Sequence, residues 1–284
     1  MTKDLKHPET TEYRLPDSDP KACLAMNPRR FETLVAIMGA LRSESGCPWD
    51  KAQTHVSLAR YLLEECYEVL DAIEGEDRDN LIEELGDVLF QVAFHAQLGR
   101  ESESFDIGDV LSRINRKMIH RHPHVFGDAR AEAVDWEALK RDEKQTATLS
   151  EEIDRIPRTF TALMQAEKLL AKVGKAGFDW QDPAPALAKV REKSAEVAEA
   201  LGSGDRVHLE EELGDLLLAA VNVARLCGFQ PELVLRKSNA KFAGRLKEME
   251  ASAACQEKQL DEYATAQLEA LWQSIKAKGG DPEQ

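Results

Sequence analysis

The sequence predicts an all-α protein built from two tandem copies of one helical domain. Hydrophobic residues make up 43% of the 284 residues, aromatic residues only 6%, and charged residues 31%. Long stretches rich in Ala, Leu, Glu, Lys and Arg favour helices over sheet. A pair of acidic motifs occurs twice at constant spacing, and the length accommodates two domains of ordinary size.

The internal repeat returns in register over two motifs and the loop between them. The paired acids Glu68 and Glu196, Glu84 and Glu212, and Asp87 and Asp215 are each separated by 128 residues. A period this long indicates duplicated domains, because solenoid repeats run at about 20–50 residues. We therefore divide the chain into a polar N-terminal extension (1–27), copy 1 (28–128), a linker (129–156), copy 2 (157–255), and a C-terminal helix and tail (256–284).

Apolar periodicity predicts that the acidic motifs lie on helices. The first of these helices is expected to begin near Ser57 and to end before Gly75. At the start of the next helix, Asn80 followed by Glu83 resembles a capping box. Further helices are predicted at about 30–43, 107–121, 160–173, 185–201, 209–226 and 231–251.

Charge and cysteine content limit the compartment and the partners. A formal net charge of −15 argues against a protein that binds nucleic-acid polymers, since phosphate backbones need clustered Lys and Arg. The five cysteines are scattered without a CxxC pair, which favours a reducing cytoplasm over a disulfide framework. No apolar run approaches ~20 residues, so no membrane association is expected.

Four carboxylates are predicted to form a metal site. Glu65 and Glu68 lie on or beside the apolar stripe of one helix, and Glu84 and Asp87 have the same relation to the next. Like charges this close weaken a helix by ~0.2–0.5 kcal/mol per pair, a penalty that a cation removes. All-oxygen ligands select a hard ion, in biology usually Mg²⁺, with Mn²⁺ as a substitute. The alternative is that both motifs are solvated charged stripes.

The stretches YLLEECYEVLDAIEGED and LIEELGDVLFQVAFHAQ resemble the EExxE, spacer, ExxD signature of the MazG nucleoside triphosphate pyrophosphohydrolases. Similar stretches occur at 46–55, 121–128, 173–180 and 239–250. The resemblance implies a four-helix-bundle-type homodimer in which Glu65, Glu68, Glu84 and Asp87 hold Mg²⁺. It also implies hydrolysis of nucleoside triphosphates to nucleoside monophosphate and pyrophosphate, in house-cleaning or control of the nucleotide pool. Glu64, four residues before Glu68, is a candidate for a further ligand or for the base that activates water.

Basic residues downstream of each acidic motif are candidates for binding the triphosphate. Lys117 and Arg121 are four residues apart and share a helical face, where they would neutralise phosphate charge while Asn115 donates a hydrogen bond. Lys241 and Arg245, with Asn239 before them, repeat this arrangement in copy 2. Isolated basic pairs are otherwise ordinary solvated surface.

Aromatic and histidine residues leave more than one interpretation open. Trp49 is either a platform for a nucleobase or a core anchor, and Trp180 has the same alternatives in copy 2. His120, His122 and His124 alternate beside Pro123, a spacing that favours a loop-capping or surface role over metal binding. A di-iron carboxylate bundle needs Glu-x-x-His pairs, which none of the seven histidines provides. A non-catalytic helical scaffold or partner-binding dimer is the remaining alternative.

The two copies differ at one predicted ligand. Lys193 stands where copy 1 has Glu65, whereas Glu196, Glu212 and Asp215 are retained. An ammonium cannot bind a cation, so we expect Lys193 to pair with Glu196 or Glu212. Copy 1 is therefore predicted to carry most of the catalysis.

Overall fold

The computed structural model describes residues 19–127 and 148–278, and within these ranges it contains helices and no strand. The chain divides into two compact units, with the division between residues 140 and 141. The predicted all-α class is confirmed. Most of the predicted linker and both chain ends lie outside the described residues.

Unit 1 is organised around a helical hairpin. Its helices are α1 (Pro20–Ala25), α2 (Phe31–Leu41), α3 (Pro48–Ala52), α4 (His55–Glu74), α5 (Arg78–Glu101), α6 (Ile107–Arg121) and α7 (Pro123–Phe126). Three residues join α4 to α5, and these two helices pack along each other. Met38, Leu58 and Phe94 form a fully buried core between α2, α4 and α5. This core fixes the hairpin that carries the acidic motifs.

The hairpin helices begin at caps other than the predicted ones. Thr54 caps α4, since its hydroxyl accepts a hydrogen bond from the Ser57 backbone N–H. The Ser57 hydroxyl in turn accepts a hydrogen bond from the Thr54 backbone N–H. Asp77 caps α5 by accepting hydrogen bonds from the backbone N–H groups of Asp79 and Asn80. The predicted starts at Ser57 and Asn80 were wrong by about one turn, because another capping residue lies three residues before each.

Unit 2 repeats this hairpin. Its elements are α8 (Leu149–Asp154), α9 (Ala162–Lys175), α10 (Pro183–Ser203), α11 (Arg206–Leu226), α12 (Pro231–Ala254), a 3₁₀ turn (Leu260–Glu262) and α13 (Thr265–Lys278). The helices α10 and α11 each begin 128 residues after α4 and α5. Gly204, with φ of 75°, ends α10 in a left-handed conformation that favours glycine. The duplication is thus a duplication of structure.

Two further features bear on the sequence expectations. Across residues 19–127 and 148–278, no helix combines the length and the apolar character needed to cross a bilayer. All five cysteines are free thiols, and Cys23 is the buried one among them.

Candidate metal centre

The α4–α5 hairpin brings three of the predicted ligands together. Glu65 on α4 and Glu84 and Asp87 on α5 each offer a carboxylate oxygen, and these oxygens lie within 4.8 Å of one another. Two ligands of one Mg²⁺ ion, each about 2.0–2.1 Å from it, are at most about 4.2 Å apart. The three oxygens therefore lie close to the separations that ligands of a single ion require, and the side chains would have to draw together to bind it. All three side chains are half-buried, as expected for residues beside the apolar stripe.

Glu68 borders the same group from the solvent side. Its side chain is exposed, yet it lies near enough to Glu65 and Glu84 to raise the pKa of both. The four predicted ligands thus form one cluster, in which three members converge closely and Glu68 faces water.

The cluster carries unbalanced negative charge. Partial burial raises the pKa of Glu65, and the neighbouring charges of Asp87, Glu68 and Glu84 raise it further. Partial burial likewise raises the pKa of Glu84, with added repulsion from Glu68 and Asp87. Both shifts show that ionising all four groups together is costly, and a bound cation would remove this cost.

Glu64 lies beside the cluster rather than within it. Its side chain is exposed, and its charge acts on Arg60, one turn earlier on α4. The structure therefore separates Glu64 from the three converging carboxylates. Its position allows contact with solvent and leaves its catalytic role a prediction.

An aromatic and cationic surface adjoins the cluster on α3 and α4. The Trp49 ring is 51% exposed and meets the Tyr61 ring edge-on, with the centroids 5.9 Å apart. Tyr61 precedes Glu65 by one helical turn and packs against the core that contains Phe94. The Arg60 guanidinium lies 4.3 Å from the centre of the Tyr61 ring and donates a hydrogen bond to its hydroxyl.

Sequence reasoning missed Arg60 and Tyr61. The available signal was their spacing, because Arg60 and Tyr61 lie four residues before Glu64 and Glu65 and so occupy the same helical faces. Trp49 contacts Tyr61 edge-on while half of its side chain stays exposed, and its role towards a nucleobase stays a prediction.

The basic candidates of unit 1 lie on α6. Asn115 and Lys117 are exposed, and Arg121 is half-buried in the last turn. The start of α6 is anchored where Ile107 packs against Val35 and Ala96. Within the described residues, no ion pair joins Lys117 to the carboxylate cluster, so its role at the phosphates is not tested by the structure.

The basic residues of unit 2 lie on α12. Lys241 and Asn239 are exposed, whereas Arg245 is half-buried with its guanidinium 5.7 Å from the centre of the Trp272 ring. The contact with Trp272 on α13 was not foreseen from the sequence.

The histidines beside Pro123 fit the predicted capping role. The Nδ1 atom of His122 lies 2.6 Å from the Met118 carbonyl oxygen at the end of α6, where helix carbonyls lack backbone partners. The rings of His122 and His124 are tilted neighbours with centroids 5.7 Å apart.

In unit 2 an ammonium group stands among the equivalent acids. The Nζ atom of Lys193 lies 2.6 Å from Glu196, 2.7 Å from Asp215 and 3.0 Å from Glu212. Donation from the Lys193 ammonium to the carboxylates of Asp215, Glu196 and Glu212 raises the pKa of Lys193, and Lys193 in turn lowers the pKa of Glu196. The predicted pairing of Lys193 is confirmed, and Asp215 is an additional partner. A fixed positive charge therefore sits where a ligand carboxylate of copy 1 would be.

Comparison with known proteins now connects this geometry to a family. The sequence profile of the MazG nucleotide pyrophosphohydrolase domain matches residues 53–126 and again residues 181–249. The chain belongs to the MazG family. The first MazG match contains α4, α5 and the carboxylate cluster, and the second contains α10, α11 and Lys193. The resemblance drawn from the acidic motifs is confirmed in both copies.

Relatives within the MazG family match nearly end to end. The chain is 45% identical over 252 residues to the nucleoside triphosphate pyrophosphohydrolase/pyrophosphatase MazG of Thermotoga maritima, covering 88% of this chain and 96% of that protein. It is 42% identical over 255 residues to the nucleoside triphosphate pyrophosphohydrolase of Escherichia coli K12, covering 87% of this chain and 97% of that protein.

Proposed function

We propose that the protein is a cytoplasmic, Mg²⁺-dependent enzyme that hydrolyses nucleoside triphosphates to nucleoside monophosphates and pyrophosphate, as a house-cleaning activity on the nucleotide pool. The observation that carries the proposal is the convergence of Glu65, Glu84 and Asp87 within 4.8 Å on the first hairpin. Membership of the MazG family and the names of its relatives support the substrate class and the reaction.

The donor set fits a hard divalent ion. Glu65, Glu84 and Asp87, with Glu68 at the solvent side, would hold Mg²⁺ or Mn²⁺ through oxygen atoms alone. The raised pKa values of Glu65 and Glu84 supply an independent reason, since a cation offsets the repulsion that raises them. When bound, the ion would neutralise phosphate charge and lower the pKa of a bound water.

Other side chains of copy 1 are proposed to activate the water and to stabilise the leaving pyrophosphate. Glu68 is exposed at the edge of the cluster, so its carboxylate can orient water and accept its proton as the water oxygen attacks the α-phosphorus. Exposed Glu64, on the next face of α4, is the second candidate base. As the bond to the β-phosphate bridging oxygen breaks, pyrophosphate departs with that oxygen. Lys117 and Arg121 would stabilise its charge, with Asn115 as a hydrogen-bond donor.

The surface formed by Trp49, Tyr61 and Arg60 is suited to the nucleobase. The exposed part of the Trp49 ring offers a stacking face beside Tyr61, which lies one turn before Glu65 on α4. Base stacking tolerates different bases, which matches an enzyme acting on a range of nucleotides. Lys241 and Arg245 are proposed as the corresponding phosphate contacts of copy 2.

A homodimer is part of the proposal. Large apolar side chains of the α4–α5 hairpin remain exposed, among them Leu63 (58%), Ile82 (59%), Leu85 (47%) and Leu89 (48%). Several apolar side chains exposed on one hairpin are typical of a protein–protein interface. The same face of a second chain would cover them symmetrically.

A panel of nucleoside triphosphates, incubated with the full-length chain in Mg²⁺ or EDTA, tests the function. We expect equimolar nucleoside monophosphate and pyrophosphate in Mg²⁺, no orthophosphate, and no turnover in EDTA. Release of orthophosphate, or equal rates in EDTA, would reject the reaction. The absence of any product from every nucleotide would favour the non-catalytic scaffold.

A further inference from the structure

Unit 1 contains a buried arginine that lies outside the carboxylate cluster. Arg42 directly follows α2, and its side chain is only 7% exposed. Its Nε atom donates a hydrogen bond to Glu101 Oε1 at 2.8 Å, and its Nη2 atom donates one to Glu101 Oε2 at 2.6 Å. Because Glu101 is the last residue of α5, this bidentate pair joins the ends of two core helices.

The third nitrogen of the same guanidinium contacts α3. Nη1 of Arg42 donates hydrogen bonds to the backbone carbonyl oxygen of Asp50 and, at 3.4 Å, to that of Gln53. Carbonyl groups at the end of a helix lack helical partners, so a buried guanidinium is a suitable donor for them. The Cζ atom of Arg42 also lies 5.5 Å from the centre of the buried Phe94 ring, which supports the guanidinium from the core side.

Apolar burial contributes little to holding α3. Among its five residues Asp50 is the buried one, whereas Pro48, Trp49, Lys51 and Ala52 are exposed. Hydrophobic stabilisation scales with the apolar area removed from water, so it fixes such a helix weakly. The hydrogen bonds from Arg42 therefore account for much of what holds α3 against α2 and α5.

Both ends of the α3 segment are attached to neighbouring helices. Before α3, the Cys47 backbone N–H donates a hydrogen bond to the Leu41 carbonyl oxygen at 2.7 Å. After α3, the Gln53 side chain accepts a hydrogen bond from the Ser57 hydroxyl on α4 at 2.7 Å. Loss of the Arg42 contact is thus expected to shift α3 within its segment and to leave the chain folded.

We propose that Arg42 is a positioning residue for nucleobase binding, because it holds α3 so that Trp49 stands against Tyr61 with part of its ring open to a base. This inference rests on the proposed function, in which the base stacks on Trp49. Glu101 fixes the plane of the guanidinium, and the hydrogen bonds from Arg42 lower the pKa of Glu101, so the pair stays charged at neutral pH. A lysine lacks the planar fork that reaches the carboxylate and the carbonyl groups together.

The Arg42→Met variant tests the role in substrate binding. Methionine keeps an apolar chain over Phe94 and removes every donor. We expect KM for the best substrate of the panel to rise severalfold, up to the value of Trp49→Ala, with kcat within about twofold of wild type. Arg30→Met is the matched control, since Arg30 forms an exposed pair with Glu32 at 3.4 Å and should leave both constants unchanged.

A double-mutant cycle separates positioning from a general loss of structure. If Arg42 acts through Trp49, the variant that combines Arg42→Met with Trp49→Ala should have the KM of Trp49→Ala alone. Bound Mn²⁺ should be unchanged in all three variants. Multiplication of the two effects on KM, or loss of Mn²⁺ in Arg42→Met, would overturn the assignment.

Hydrogen–deuterium exchange tests the contact with α3 without any turnover. The backbone N–H groups of Cys47, Lys51 and Gln53 donate hydrogen bonds, so a peptide covering 43–54 reports on this segment. In Arg42→Met it should exchange at least about tenfold faster, while peptides from α4 and α5 keep the wild-type rate.

The two measurements distinguish the possible failures. Unchanged exchange of 43–54 in Arg42→Met, or a KM that Trp49→Ala raises and Arg42→Met does not, would reject Arg42 as the positioning residue. Faster exchange combined with a KM that Trp49→Ala leaves unchanged would instead reject the base platform of the proposed function, and the positioning role with it.

Discussion

The two hairpins of this chain share their register and differ in the charge placed between them. Among the residues that the structure describes, the α4–α5 hairpin gathers Glu65, Glu84 and Asp87 with no cationic side chain paired to them, whereas the α10–α11 hairpin has Lys193 among Glu196, Glu212 and Asp215. A lysine ammonium offsets the repulsion in the second hairpin permanently. In the first hairpin, a bound metal ion would offset the repulsion between the carboxylates, and that ion can also act on a substrate. One residue thus separates a structural ion-pair network from a candidate metal centre.

The hairpins also differ in their interiors. Copy 1 closes its core with Leu58 and Phe94, while copy 2 has Ala186 and Asn222 and leaves a pocket of about 410 Å³. A copy that does not bind a metal ion does not require the same core side chains. The comparison therefore predicts different functions for two segments of common origin.

The largest expected effect is on turnover. Glu68→Ala in copy 1 should lower kcat by on the order of 10³ or more, because it removes a metal contact and a base together. Glu196→Ala, the matched change in copy 2, should leave kcat within about twofold. Pyrophosphate release in Mg²⁺ measures both variants. Loss of activity in Glu196→Ala alone would transfer catalysis to the second copy.

A gain of binding is the next largest effect. Lys193→Glu restores the carboxylate set in copy 2, so Mn²⁺ bound per chain should increase over wild type by equilibrium dialysis. In EDTA the same variant should unfold at a lower temperature, since four acids then face one another without a cation. Addition of Mg²⁺ should raise the unfolding temperature of this variant again. Unchanged Mn²⁺ binding with a folded variant would show that Lys193 is not what excludes the metal.

A smaller effect is expected at the aromatic surface. Trp49→Ala should raise KM by about five- to 150-fold, the loss of one base stack of ~1–3 kcal/mol, with a lesser change in kcat. Steady-state kinetics on the best substrate of the panel measures the split, and Trp49→Phe should restore most of the affinity. A fall in kcat at constant KM would argue against stacking.

The smallest effect is on stability against pH. The folded-state pKa values of Glu65 and Glu84 are raised, so the folded protein binds protons more tightly than the unfolded chain. Their destabilising contribution is present above the raised values and disappears as pH falls below the ordinary glutamate value of 4.5. In EDTA at neutral pH, Glu84→Gln should therefore raise the unfolding midpoint by a few degrees, and the gain should shrink towards pH 4.

A matched change in copy 2 sharpens this test. Lys193 already balances Glu212, so Glu212→Gln should lower the unfolding midpoint at neutral pH instead of raising it. The same sign for both variants in thermal melts would mean that the two hairpins do not differ electrostatically.

Sequence alone predicted the parts of the fold and site that depend on helical periodicity. The three-residue step from Glu84 to Asp87, repeated 128 residues later, was enough to place four acids on facing helices and Lys193 among their counterparts. The helix starts were less accurate, since Asp77 competed with Asn80 as the cap of α5.

What sequence could not predict depends on tertiary contacts. The stacking of Arg60 on Tyr61 is set by rotamers at the surface, and the approach of Trp49 depends on how α3 packs. The pocket follows from the joint loss of two side chains that meet only in the folded core. Neither Ala186 nor Asn222 signals a cavity by itself.

The most direct test of the central claim is Mn²⁺ binding to a matched pair of variants, followed by the electron paramagnetic resonance signal of the free ion. If the metal binds in copy 1 and the ammonium of Lys193 excludes it from copy 2, Asp87→Asn should lose the bound Mn²⁺ of the wild type and Asp215→Asn should retain it. Retention by Asp87→Asn with loss in Asp215→Asn would contradict the account.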